Sequence, residues 1–137
     1  MLERKSIKLS TVELSYLEWK EGAEPLLLLH GLVDHALVWS NLGDYLAKDY
    51  HIIAPDLRGH GDSSKPNNGY KFSDYIADLN KFMDYLGWES AHIVSHSWSA
   101  KLAAIWATQQ PERFKDLVLI DPFFILSLIK KTKPTRQ

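Results

Sequence analysis

Ser97 lies in the run His92-Ile93-Val94-Ser95-His96-Ser97-Trp98-Ser99-Ala100, where a short apolar stretch gives way to a helical one. A serine on such a strand-to-helix turn is held clear of the backbone, and the first N–H groups of the helix face its reaction partner. That placement suits attack on a carbonyl carbon. The pattern for such a turn is G-x-S-x-G, because small flanking residues let strand and helix cross closely. Here Ser95 and Ser99 stand at both glycine positions. Taken alone, the run is equally compatible with a serine that merely caps a helix.

Three other segments place chemically pointed residues after short apolar runs. His30-Gly31-Leu32 follows Pro25–Leu29, and Asp56-Leu57-Arg58-Gly59-His60-Gly61-Asp62-Ser63 follows His51–Ala54. Asp121-Pro122 follows Leu117–Ile120. In an open parallel sheet, chemistry collects beyond the carboxyl ends of the strands. Four such endings in order, Ser97 among them, outweigh coincidence. Gly31 is read as letting the backbone approach a substrate, and His30 as holding its loop rather than moving protons. Asp56, Arg58, Gly59, His60 and Gly61 read as a charge-pinned turn that shapes the site without reacting. His35, His51 and His92 read as surface or strand-edge residues. The His30 and His35 pair has no third ligand at a metal-binding spacing, so no metal site is expected.

The elements that must position these residues alternate between strand and helix, which points to an α/β architecture with a mostly parallel sheet. An opening hairpin is predicted at Ser6–Leu9 and Val12–Trp19, and a doubly buried strand at Pro25–Leu29. Val38–Lys48 reads as a helix with Trp39, Leu42, Tyr45 and Leu46 on one side. Phe72, Tyr75, Ile76, Leu79, Phe82, Met83 and Leu86 recur at spacings of three and four and predict an amphipathic helix that Gly87 stops. Ala91–Val94 and Leu117–Ile120 read as strands, and Trp98–Gln110 as the helix between them. Trp98 reads as an apolar wall.

A chain of 137 residues with 45% hydrophobic content is enough for one packed core. A net charge of −1 gives no electrostatic reason to bind nucleic acid or an anionic membrane. Without cysteine there is no disulfide and no thiolate nucleophile. The N-terminus shows no signal-peptide pattern, and no apolar run approaches a membrane span. A cytoplasmic location, no cofactor and no membrane or nucleic-acid partner are the expectations.

With H-G after the Leu26–Leu29 strand, Trp39 beyond it, D-x-R-G-x-G-x-S from Asp56 to Ser63, and S-H-S-W-S at the turn, the chain resembles the α/β-hydrolase family from its opening hairpin to Pro122. The resemblance implies an incomplete hydrolase sheet of about six strands, with helices on both faces. Residues 1–122 would form its N-terminal portion, and 123–137 an apolar then basic tail. It implies Ser97 as nucleophile, with an oxyanion hole from the backbone N–H groups of Leu32 and Trp98. The substrate would be a small apolar acyl compound, cleaved as an ester, thioester, amide or activated C–C bond. A tryptophan after the nucleophile also occurs in haloalkane dehalogenases. Their chemistry needs a carboxylate at position 97 and an asparagine where Leu32 stands, so dehalogenase and epoxide hydrolase activities are disfavoured.

The base is not identifiable. In this fold the triad runs serine, acid, histidine, yet all six histidines precede Ser97. His96 is adjacent but is expected to point elsewhere and only shape the site. Asp121 is a candidate acid. Two readings stay open: a serine hydrolase impaired by the missing histidine, and a non-catalytic binding protein or fragment on the same scaffold. The strand around Val118 would be an unpaired edge, offered to another copy or to a complementing chain.

Overall fold

The computed structural model describes residues 2–122, so the 123–137 tail lies outside the described residues. Six strands and three helices alternate after an opening hairpin: β1 (Leu2–Lys8), β2 (Glu13–Trp19), β3 (Glu24–Leu29), α1 (Ser40–Leu46), β4 (Tyr50–Pro55), α2 (Phe72–Leu86), β5 (Ala91–His96), α3 (Trp98–Gln109) and β6 (Phe114–Ile120). Short 3₁₀ turns at Ala36–Trp39 and Pro111–Arg113 lead into α1 and β6. The strands form one sheet in the order β1-β2-β4-β3-β5-β6. β1 and β2 pair antiparallel, β2 joins β4 antiparallel, and β4, β3, β5 and β6 run parallel.

The apolar runs of β3 and β4 follow from burial on both faces. Leu27, Leu29 and Ile53 pack with α2 and α3, around Leu79, Phe82, Leu102 and Trp106. Leu26, Leu28, Ile52 and Ala54 face the other way, toward Trp19, Ala36, Trp39 and Ala47. The three-and-four spacing of α2 buries Tyr75, Ile76, Leu79, Phe82 and Met83, and the helix ends at Gly87.

Three sequence expectations need correction. The first strand begins at Leu2, four residues before the predicted Ser6, because its early residues pair along β2 as far as Trp19. Tyr45 is 80% exposed rather than on the packed side. The first turn of the predicted helix is 3₁₀, and the buried line runs through Trp39, Gly43 and Ala47. Gly43 is the close contact: a Cβ there would lie 2.3 Å from the Trp19 ring. Trp19 Nε1 also donates to Asp44 Oδ1 at 2.8 Å, fixing α1 on the sheet. The last strand starts at Phe114, three residues before the predicted Leu117. Its early residues pair with Ala91 and His92, and the Phe114 ring packs edge-on to Trp106 at 4.8 Å.

After β3 the chain steps outward to β4, then returns to the far side of β3 for β5. The topological switch therefore falls between β3 and β5, and the crevice at their carboxyl ends is where such a sheet places its chemistry. Among the described residues no helix is long and apolar enough to cross a membrane.

Candidate active site

β5 delivers Ser97 to that switch point. Ser97 takes φ 58° and ψ −118°, a conformation that costs a non-glycine residue about 1–3 kcal/mol and persists only when its surroundings impose it. They do so here. The Ser97 N–H donates to Ile120 O at 2.9 Å, and the Ala100 N–H donates to Ser97 O at 3.0 Å. Trp98 is the first residue of α3, so its N–H has no carbonyl four residues back to bond.

The loop after β3 closes over the elbow. A Cβ at Gly31 would sit 3.2 Å from Ser97 Cβ and 3.3 Å from His96 Nδ1, so only glycine gives this approach freely. Leu32 follows at the exposed start of the loop. The loop is anchored by His30, which is fully buried. Its Nε2 accepts from the Leu57 N–H at 3.0 Å, and its Nδ1, 2.7 Å from Gly31 O, therefore carries the proton. Burial pushes the His30 pKa down to about 4, against a partial offset from the Gly31 carbonyl. The ring is thus a neutral strut.

Asp56 plays the corresponding part after β4. Its Oδ1 accepts from the Ala36 N–H at 2.8 Å, and its Oδ2 from the Asp62 N–H at 2.9 Å and Arg4 Nη1 at 3.1 Å. Burial raises its pKa, but these donors outweigh that and leave it below the ordinary carboxylate value. Gly61 has φ 51°, and a Cβ there would strike the Asp56 carboxyl at 2.3 Å. Arg58 makes a bidentate pair with Asp78 of α2, both bonds 2.9 Å, and donates to Gly69 O at 3.0 Å. Gly59, also at positive φ, lies against Tyr70. Asp56, Arg58, Gly59 and Gly61 therefore knit the β4 loop to β1, α2 and the 3₁₀ turn, and no hydrogen bond among the described residues joins any of the four to Ser97.

The remaining candidates lie near the elbow. The Trp98 ring stacks on Phe72 at 5.5 Å and meets Tyr75 edge-on at 4.8 Å, forming an aromatic wall with α2. Phe72 and Tyr75 read from the sequence only as core, because their spacing reports burial and not what they lie beside. His96 lines a cleft of about 220 Å³ together with Asp34, Val38, Trp39 and Ile120. Trp39 Nε1 is the one buried side-chain polar atom without a partner among the described residues. Asp121 is exposed, with φ 51°, one residue past the carbonyl that receives the Ser97 N–H.

The histidine rings are mostly engaged away from Ser97. His51 bonds Glu18 at 2.7 Å, His92 bonds Asp116 at 2.9 Å and Glu24 at 3.2 Å, and His60 bonds Arg58 O at 2.9 Å. Among the described residues no group of three or more His, Cys, Asp or Glu could hold a metal ion.

Known proteins resemble this chain in sequence and fold. The family model described as alpha/beta hydrolase fold matches residues 24–135. A soluble epoxide hydrolase of Corynebacterium sp. is 33% identical over 105 residues, 77% of this chain and 35% of that protein. A serine hydrolase-like protein of Danio rerio is 33% identical over 104 residues, covering 74% of this chain and 32% of its own length. The crystal structure of a putative lipase from Acinetobacter baumannii superposes with a TM-score of 0.83 at 32% identity, over 89% of this chain and 42% of that one. The chain thus spans about a third to two fifths of the length of these relatives. Sheet order, elbow and sequence agree: the chain belongs to the α/β-hydrolase fold family.

Proposed function

We propose that this chain carries the nucleophile and oxyanion half of a serine hydrolase acting on a small apolar acyl compound. The observation that carries the reading is the backbone of Ser97, a non-glycine residue at φ 58° on the β5–α3 turn, with Gly31 packed against it. Ser97 Oγ attacks the acyl carbon, and the leaving group departs to give an acyl-enzyme. The developing oxyanion is received by the backbone N–H groups of Trp98 and Leu32. Water then releases the acid. Trp98, Phe72, Val38 and Ile120 give the surroundings an apolar character that suits an acyl group.

Relatives named epoxide hydrolase and haloalkane dehalogenase share the scaffold. A serine rather than a carboxylate at position 97 favours acyl transfer over an alkyl-ester route in this chain. A serine hydroxyl needs a base, and no histidine follows Ser97 in these 137 residues. Asp121 is a candidate for the acid partner of that base. The edge strand β6 offers a pairing side to a second copy or a complementing chain: it pairs only with β5 among the described strands, and Val118 and Ile120 are 48% and 38% exposed.

The test is to treat the chain with a fluorophosphonate, with and without imidazole to stand in for the base, and to locate the adduct by peptide mass spectrometry. Imidazole-dependent modification concentrated on Ser97, and lost in Ser97→Ala, is expected. If Ser97 reacts no faster than surface serines with imidazole present, the chain is a non-catalytic binding scaffold instead.

A further inference from the structure

Both glycine positions of the elbow pattern hold serine, but the two hydroxyls do different things. Ser95 Oγ makes a single long contact to Val118 O at 3.4 Å. Ser99 Oγ, wholly buried in the first turn of α3, sits at a three-way junction. It accepts from the His96 N–H at 3.1 Å, and its one proton is within reach of Leu29 O at 2.9 Å and His96 O at 3.0 Å. These partners are the end of β3 and the last residue of β5.

The consequence lies in the peptide that joins His96 to Ser97. Its carbonyl shares the Ser99 hydroxyl proton with Leu29 O, and its N–H, that of Ser97, is held by Ile120 O at 2.9 Å. A peptide plane pinned at both ends leaves the Ser97 φ little freedom, which is how a strained turn is kept. The bond to Leu29 O also ties α3 to the strand that leads directly into His30, Gly31 and Leu32. Leu32 and Trp98 stand on opposite sides of that tie.

We infer that Ser99 is a positioning residue, whose hydroxyl fixes the nucleophile's backbone and sets the β3 loop in register with the α3 N-terminus. A glycine here would give the same clearance with none of these bonds. This rests on the reading of Ser97 as nucleophile beside the oxyanion donors.

The chain has no cysteine, so Ser97→Cys places a single reporter thiol at the elbow. Its pKa follows from the pH profile of alkylation, and a thiol at a helix N-terminus lies below the ordinary value of about 8.5. In that background Ser99→Ala removes both the bond accepted from the His96 N–H and the shared donated proton, and is expected to move the thiol back toward the ordinary value and slow alkylation at pH 7 about fivefold, the scale of a net neutral hydrogen bond. Ser99→Gly removes the hydroxyl without adding an atom and keeps the test open should alanine fail to fold. Ser99→Thr restores the hydroxyl and is expected to restore the low pKa. Ser95→Ala, the control, leaves the profile unchanged. If the thiol is depressed and neither Ser99→Ala nor Ser99→Gly shifts it, the role given to Ser99 is wrong while the Ser97 reading stands. A thiol of ordinary pKa in the Ser97→Cys background overturns both.

Discussion

Acidification is predicted to weaken the fold through His30 in particular. Its ring is buried, accepts from Leu57 and donates to Gly31, so its folded pKa falls to about 4 from an ordinary 6.5. A depressed folded value means that the unfolded chain takes up the proton first. The contribution is complete above pH 6.5 and is lost as the pH falls toward 4. Over that whole range the difference is worth about 3 kcal/mol at 1.36 kcal/mol per pH unit, and by pH 5 about 2 kcal/mol is gone. Against a typical domain stability of about 5–15 kcal/mol this is measurable. Urea unfolding followed by circular dichroism at pH 7 and pH 5 gives the loss directly. His30→Gln keeps an acceptor for the Leu57 N–H but cannot titrate. It is expected to start less stable at pH 7 and to lose about 2 kcal/mol less than the parent on going to pH 5. Carboxylates such as Asp56, whose lowered pKa also favours the fold above acid pH, contribute equally to both proteins and cancel in the difference. An identical loss in the two proteins would refute the assignment of His30 as a buried neutral strut.

Two further predictions concern the β4 loop. Arg58→Ala leaves the buried Asp78 carboxylate without its bidentate partner and is expected to cost about 3–5 kcal/mol, read as a lowered melting temperature. Arg58→Lys should recover only part of this, because an ammonium cannot reproduce the planar fork that also reaches Gly69 O. Gly61→Ala combines a left-handed backbone, about 1–2 kcal/mol for alanine, with a collision against the Asp56 carboxyl. Its urea midpoint should fall clearly, and an unchanged midpoint would show that Asp56 is not held as described.

Much of the architecture was legible because its signals are local. The apolar run of β3 reads as a doubly buried strand, the spacing in α2 as a packed helix, and the four pointed strand endings as loops at one edge of the sheet. The misreadings arise where a distant partner decides. Tyr45 has the apolar character of a packed residue, but Gly43 under the Trp19 ring turns α1 so that it points away. Nothing near Phe114 marks it as strand, since its pairing with Ala91 across the ladder extends β6. The site divides in the same way. The Ser97 elbow is visible in a nine-residue run. The partners that brace it are not: Ser99 meets Leu29 seventy positions away, and Arg4 meets Asp56 from the first strand.

The bond from the Ser97 N–H to Ile120 O ties that serine to the outermost of the described strands rather than to the sheet's interior. An edge strand has half its hydrogen-bonding groups uncommitted, and its end frays more readily than a central one. One of the bonds that hold Ser97 is then only as firm as the tip of β6. A strand laid along the side of β6 that the described strands leave unpaired would stiffen Ile120 and, through one hydrogen bond, the serine beside it.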